Sequence, residues 1–179
     1  MQVCSTSHLF HYFFTEDPDQ AAAIVEQGIR PLSDFPESPR WRQFEAEMPG
    51  FYEKLYDMMA QPILGMPYEN SGVFVTPIDF RLVPGTYLHD KPRFRLPVDR
   101  FDPRRSVLTY VLDEQRTAVP LSSEHLALTA EIWNADLVRQ WFARDTTKVF
   151  FYVPQVAAYQ GRVEVEPGDY EPHTPEEAK

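Results

Sequence analysis

The sequence predicts a single α+β domain, and three observations carry the prediction. One early strand-helix unit is followed by loop-rich and helical sequence, and then by a run made mostly of strands with one helical interruption, a segregated order that a doubly wound parallel sheet would not show. The chain has 179 residues, about the size of one domain, with no Gly/Ser-rich or charge-rich break that would separate two cores. Apolar residues make up 43% and aromatics 14%, enough for a packed interior.

The elements follow in order. Leu9 to Phe14 is aromatic and apolar and reads as a buried first strand, with Phe10, Tyr12 and Phe14 on one face and Leu9, His11 and Phe13 on the other. Asp17 is a good helix cap, Pro18 suits the first helical position, Ala21 to Gln27 are mostly helix formers, and Gly28 can take the left-handed stop. Prolines 31, 36, 39 and 49 bracket loop sequence and one helix over Arg40 to Met48, and Phe51 to Ala60 reads as another short helix.

Glu69 to Gly72 is a turn signal before a short strand, Val73 to Thr76, which Pro77 ends. Arg93 to Val98 and Ser106 to Leu112 read as strands from their alternation and their β-branched and aromatic content. Ser122 and Asn134 are both credible caps for helical sequence running to Arg144. Lys148 to Val153 reads as a buried strand and Arg162 to Glu166 as a final one, with the domain spanning 1–166 and an acidic, Pro-rich tail at 167–179 expected to lack fixed structure.

Charge and composition exclude several classes of function. A net charge of −10 repels a nucleic-acid backbone or an anionic membrane in bulk, so such contacts would need a local patch. The longest apolar runs are of strand length, whereas a membrane helix needs about 20 apolar residues. The lone Cys4 excludes an internal disulfide, and without a signal-like N-terminus a cytoplasmic location is expected. Walker A, G-x-G-x-x-G, H-E-x-x-H, C-x-x-C and G-x-S-x-G motifs are all missing.

Some residues could carry chemistry. His8 and His11, three apart on a strand, should point to opposite faces, which disfavours a shared metal site; His11 is either a core imidazole bonded to backbone or a ligand-orienting one. Between Arg81 and Arg105 seven basic residues face three acidic ones, in a chain that is acidic overall. That patch is either a solvated surface with local ion pairs or an anion site for pyrophosphate or nucleic acid, with Arg93 and Arg95 on one strand face. Glu164 and Glu166 share a face of the last expected strand, as a solvent edge or as paired carboxylates. The tryptophans Trp41, Trp133 and Trp141 suit core or groove lining.

Taken together, Leu9-Phe10-His11-Tyr12-Phe13-Phe14-Thr15, Ala23-Ile24-Val25-Glu26-Gln27-Gly28-Ile29 and Gly72-Val73-Phe74-Val75-Thr76 resemble the opening segments of ADP-ribosyltransferase-like domains. Lys148 to Val165 resembles the late strands of small members of that superfamily. The resemblance implies a split β-sheet with a few helices and a site for NAD as substrate. It assigns His11 to the nicotinamide ribose or amide, sets Thr76 and Thr15 beside the pocket, lets Tyr68 stack on the ring, and offers Arg93 and Arg95 to the phosphates. The implied activity is transfer of ADP-ribose to a protein or nucleic-acid acceptor.

Active members usually carry a glutamate near the penultimate strands, where Lys148 stands here. The carboxylate would fall to Glu131 or Glu164, with Asp145 and Glu166 as further choices. Two other readings stand beside it: a non-catalytic interaction module of α+β fold, and processing of phosphorylated RNA through the Arg81–Arg105 patch, as in the RNA 2′-phosphotransferase type of the same fold.

Overall fold

The computed structural model describes residues 1–12, 18–31, 46, 49, 72–144 and 152–172. The architecture is α+β, with two antiparallel sheets and their helices. Strands β1 (His8–Tyr12), β3 (Arg93–Pro97) and β7 (Tyr170–Glu171) form one sheet in the order β1-β3-β7. Strands β2 (Val73–Val75), β4 (Ser106–Leu112), β5 (Gln115–Pro120) and β6 (Gln155–Ala158) form the other, in the order β2-β6-β4-β5. Helices α1 (Pro18–Gln27), α2 (Ser123–Ile132) and α3 (Ala135–Ala143) complete the regular structure discussed below.

The strand face pattern of β1 explains how the layers stack. Leu9 belongs to a cluster with Ala21 and Ile29 of the α1 unit, Val73 and Val75 of β2, Phe94 and Leu96 of β3, and Leu108 and Val156 of the second sheet. Phe10 and Tyr12, on the other face, belong to a second cluster with Phe80, Trp133, Val138, Trp141 and Phe142. Period-two alternation therefore places one strand between two apolar cores. Burying a large side chain contributes about 1.5–3 kcal/mol, so both faces of β1 are anchored.

Local signals account for the helices. Gly28 closes α1 at φ +77° and donates its N–H to the Ile24 carbonyl at 2.7 Å, which satisfies one of the carbonyls left open by the helix end. Both caps in the Ser122–Arg144 region are used: the Ser122 hydroxyl accepts from the His125 N–H at 3.1 Å and the Asn134 side chain from the Leu137 N–H at 2.9 Å. The result is two helices in place of one, parted at Trp133.

Several expectations need correction. Arg162–Glu166 is not a strand: Val163 alone makes a bridge, to Ile29, and Glu164 and Glu166 lie outside regular structure on either side of Val165. The segment from Pro167 was expected to be tail, but Pro167–Asp169 forms a 3₁₀ turn and Tyr170–Glu171 pairs with β3. Tyr152 and Val153 of the expected Lys148–Val153 strand lie outside regular structure, and the strand instead follows Pro154. β5 had no counterpart in the sequence reading. Phe13, Phe14, Asp17, the helix expected at 40–48 apart from the helical Ala46, the one expected at 51–60, and residues 148–151 and 173–179 lie outside the described residues.

Candidate functional site

The two sheets meet at β1 and β2. Phe10 and Thr76 form an antiparallel bridge with both main-chain hydrogen bonds, Phe10 N–H to Thr76 O at 2.8 Å and Thr76 N–H to Phe10 O at 2.9 Å. A continued ladder would pair Tyr12 with Phe74 next, because hydrogen-bonded pairs recur every second residue. No such bond forms among the described residues; instead the His11 Nδ1 lies 3.3 Å from the Phe74 carbonyl oxygen. A carbonyl only accepts, so Nδ1 carries the proton in this contact. His11 thus spans the point where the sheets part, with its side chain half-buried.

Thr76 is buried beside this seam. Its hydroxyl donates to the Pro154 carbonyl at 2.7 Å and accepts from the Ile78 N–H at 3.1 Å. Those bonds tie the end of β2 to the segment entering β6 and commit the hydroxyl to the framework. Thr15 and Tyr68 lie outside the described residues.

The two arginines of β3 have different surroundings. Arg95 is exposed, opposite Phe10 in the β1–β3 register. Arg93 is buried, and its guanidinium donates through Nη1 to Asp79 Oδ1 at 2.5 Å and to the Tyr12 hydroxyl at 2.9 Å, and through Nε to Glu171 Oε2 at 2.7 Å. Burial is the largest single influence on its pKa and acts downward, yet Tyr12, Asp79 and Glu171 together hold it above the ordinary arginine value. Tyr12 is pushed up to about 12 by burial, partly offset by Arg93, so its hydroxyl stays protonated. That hydroxyl also accepts from the Phe80 N–H at 2.8 Å.

Three more arginines of the basic patch meet carboxylates. Arg81 lies 3.3 Å from Glu171, Arg100 is paired with Asp169 and with Glu166 at 3.5 Å, and Arg105 sits 3.9 Å from Asp102. Two of these four carboxylates, Asp169 and Glu171, come from the segment expected to be tail. Sequence reasoning marked the arginines but not Tyr12, Asp79 or Glu171; an Asp after the turn-forming Pro77 was the one local signal for Asp79, and nothing local linked residue 171 to residue 93.

The carboxylates proposed for catalysis stand apart from the seam. Glu131 is exposed on α2, and Glu164 is exposed with its nearest charged partner Arg162 at 3.6 Å. Among the described residues, no hydrogen bond or ion pair joins either one to His11. Groups of three or more metal-ligating side chains are also missing among the described residues. No helix among them is long and apolar enough to cross a membrane.

Comparison with known proteins finds no match to any family model, curated protein or solved structure.

Proposed function

We propose that the seam at His11 binds NAD or an ADP-ribosyl group, with transfer of ADP-ribose to a protein or nucleic-acid acceptor as the activity it would serve. The observation that carries this reading is the His11–Phe74 contact, which sets a half-buried imidazole between two of the three segments that resemble ADP-ribosyltransferase-like domains. Support also comes from the apolar cluster in which Leu9, Ile29, Val73 and Val75 draw all three segments together. In this arrangement His11 would hold a ribose or amide group by hydrogen bonding while the cluster beneath fixes its strand.

Calorimetric titration with NAD, ADP-ribose and a 5′-phosphorylated RNA oligonucleotide tests the reading. Saturable NAD or ADP-ribose binding that His11→Ala weakens at least tenfold is the expected result. Binding unchanged in His11→Ala, or none at all, overturns it. Transfer is tested by incorporation of labelled NAD into acceptor proteins, with loss expected in Glu131→Gln or Glu164→Gln.

A non-catalytic module is the second reading, and the exposure of Glu131 and Glu164, neither bonded to His11 among the described residues, favours it. NAD binding without transfer in the wild type, and with both glutamine variants unaltered in binding, identifies this case. Processing of phosphorylated RNA is less well supported, because Arg81, Arg93 and Arg100 already hold carboxylates.

A further inference from the structure

The segment Glu166–Pro172 is bound to the rest of the molecule as a peptide ligand would be. Its strand β7 adds to the outer edge of β3, with Arg93 opposite Glu171 and Phe94 opposite Tyr170. Successive side chains enter different surroundings, as they do when an extended peptide extends a sheet. Tyr170 packs on Phe94 with ring centroids 5.4 Å apart, at the margin of the cluster that contains Leu9. Glu171 takes the Arg93 Nε, and Arg100 takes Asp169 with two nitrogens. Arg81 reads the main chain: its Nη2 donates to the carbonyls of Glu171 at 3.2 Å and Pro172 at 2.6 Å.

The receiving surface stays satisfied when this segment leaves. Arg93 keeps Asp79 and the Tyr12 hydroxyl on Nη1, both from residues that do not belong to the segment. Departure therefore frees one nitrogen of Arg93 and the guanidinium groups of Arg81 and Arg100, and it leaves no buried charge without a partner. The segment itself is held by a strand of two residues, one ring contact, two bonds from Arg81 to main-chain carbonyls and four ion pairs, of which Arg100–Glu166 is the most exposed. A short edge pairing and charged contacts that the carboxylates of another chain can replace make an exchangeable attachment.

We infer that the outer edge of β3, with Arg81, Arg93 and Arg100, is a docking site for an extended acidic segment of another protein, and that residues 166–172 occupy it in cis. The pattern it selects is carboxylate, aromatic, carboxylate at successive positions, as in Asp169-Tyr170-Glu171, because the aromatic must reach Phe94 while the flanking carboxylates meet Arg100 and Arg93. Charge complementarity chooses the partner: a basic edge within a chain of net charge −10 attracts a short acidic strand locally while the remaining surface repels acidic proteins at large. Partner and cis segment compete, so occupancy depends on partner concentration.

The test uses the full chain. A labelled synthetic peptide of residues 162–172 is titrated by fluorescence anisotropy against the wild type and against the double variant Tyr170→Ala/Glu171→Gln, whose cis segment is weakened. The variant is expected to bind the peptide at least tenfold more tightly than the wild type, and to lose that gain when the peptide carries Asp169→Asn and Glu171→Gln. Equal binding by the two proteins, or equal binding of charged and neutral peptides, overturns the inference. Should the double variant fail to fold, hydrogen exchange on the wild type decides: saturating charged peptide should speed exchange at the amides of Tyr170 and Glu171, and unchanged exchange overturns the inference.

Discussion

The Arg93 guanidinium carbon lies 4.3 Å from the centroid of the Phe10 ring on the neighbouring strand. A cation over an aromatic face within about 6 Å is attracted by the ring quadrupole, and desolvation strengthens the effect to about 2 kcal/mol. Here the same cation also holds Asp79, Glu171 and Tyr12. Removing it by Arg93→Ala leaves two carboxylates and a buried phenol without their common partner. A loss of about 3–5 kcal/mol is expected in urea denaturation. Arg93→Lys keeps the charge but cannot serve all the acceptors at once, so a smaller loss is expected. A loss for Arg93→Ala below about 1 kcal/mol would show that the network contributes little.

Tyr12 makes stability fall at high pH. Its folded pKa, about 12, lies above the ordinary phenol value of about 10, so the folded state keeps a proton that the unfolded state gives up. The contribution is complete below pH about 10 and is lost as the pH rises toward 12. Urea midpoints measured from pH 9 to 11.5 should drop across that window. Tyr12→Phe should flatten the drop while costing about 1–3 kcal/mol at neutral pH, since the Arg93 Nη1 and the Phe80 N–H both lose an acceptor.

Cys4 should resist thiol reagents until the protein unfolds. The side chain is fully buried and burial pushes its pKa up to about 12, so almost no thiolate exists at pH 8. Labelling with a chromogenic disulfide at pH 8 should proceed at the unfolding rate and accelerate with urea. Full labelling within the mixing time would contradict this burial.

Gly28 and Gly161 form an internally controlled pair. Both have positive φ, +77° and +85°, but a Cβ on Gly28 would meet the Val163 carbonyl oxygen at 2.7 Å, whereas one on Gly161 would meet nothing within 4 Å. Gly161→Ala should cost about 1 kcal/mol from backbone conformation alone. Gly28→Ala should cost about 2–3 kcal/mol, because the clash falls on the Ile29–Val163 bridge that joins α1 to the chain after β6. Equal losses in thermal denaturation would show that the bridge yields without cost.

Much of the fold was legible in the sequence where the signal was local. β1, β2, β3 and β4 follow from alternation and β-branched content, and α1, α2 and α3 from caps at Ser122 and Asn134 and the stop at Gly28. β5 escaped because Gln115–Pro120 is polar and carries only part of its surface inward. Its turn is made by Asp113 and Glu114 at φ 51° and 62°, without the glycine that usually announces such a hairpin. β7 escaped because Pro-rich acidic sequence reads as tail, and its reason to be ordered is held by arginines some seventy to ninety residues earlier.

The candidate site divides in the same way. His11 was marked as a core or ligand-orienting imidazole, and it does bond to backbone at the seam. The face of Arg93 was set by strand alternation, but its burial depends on Tyr12, Asp79 and Glu171 converging from three separate segments. Alternation fixes which way a side chain faces; it does not reveal what meets it there.

The Phe10–Thr76 bridge has a mechanical meaning. Beside it, the segment before β1 pairs with the chain after β2 through the Cys4–Ile78 bridge, with Ser5 N–H to Pro77 O at 2.7 Å and Asp79 N–H to Val3 O at 2.8 Å, while side chains of the cluster around Leu9, Val73 and Leu108 carry the rest of the join. Both bridges lie on the Thr76 side of the join, and past them β1 and β2 run on without a main-chain hydrogen bond between them among the described residues. His11 sits one residue from the Phe10–Thr76 bridge, just where that fastening ends, so its contact with the Phe74 carbonyl closes the mouth of a seam clamped at one end, as a peg closes a split board.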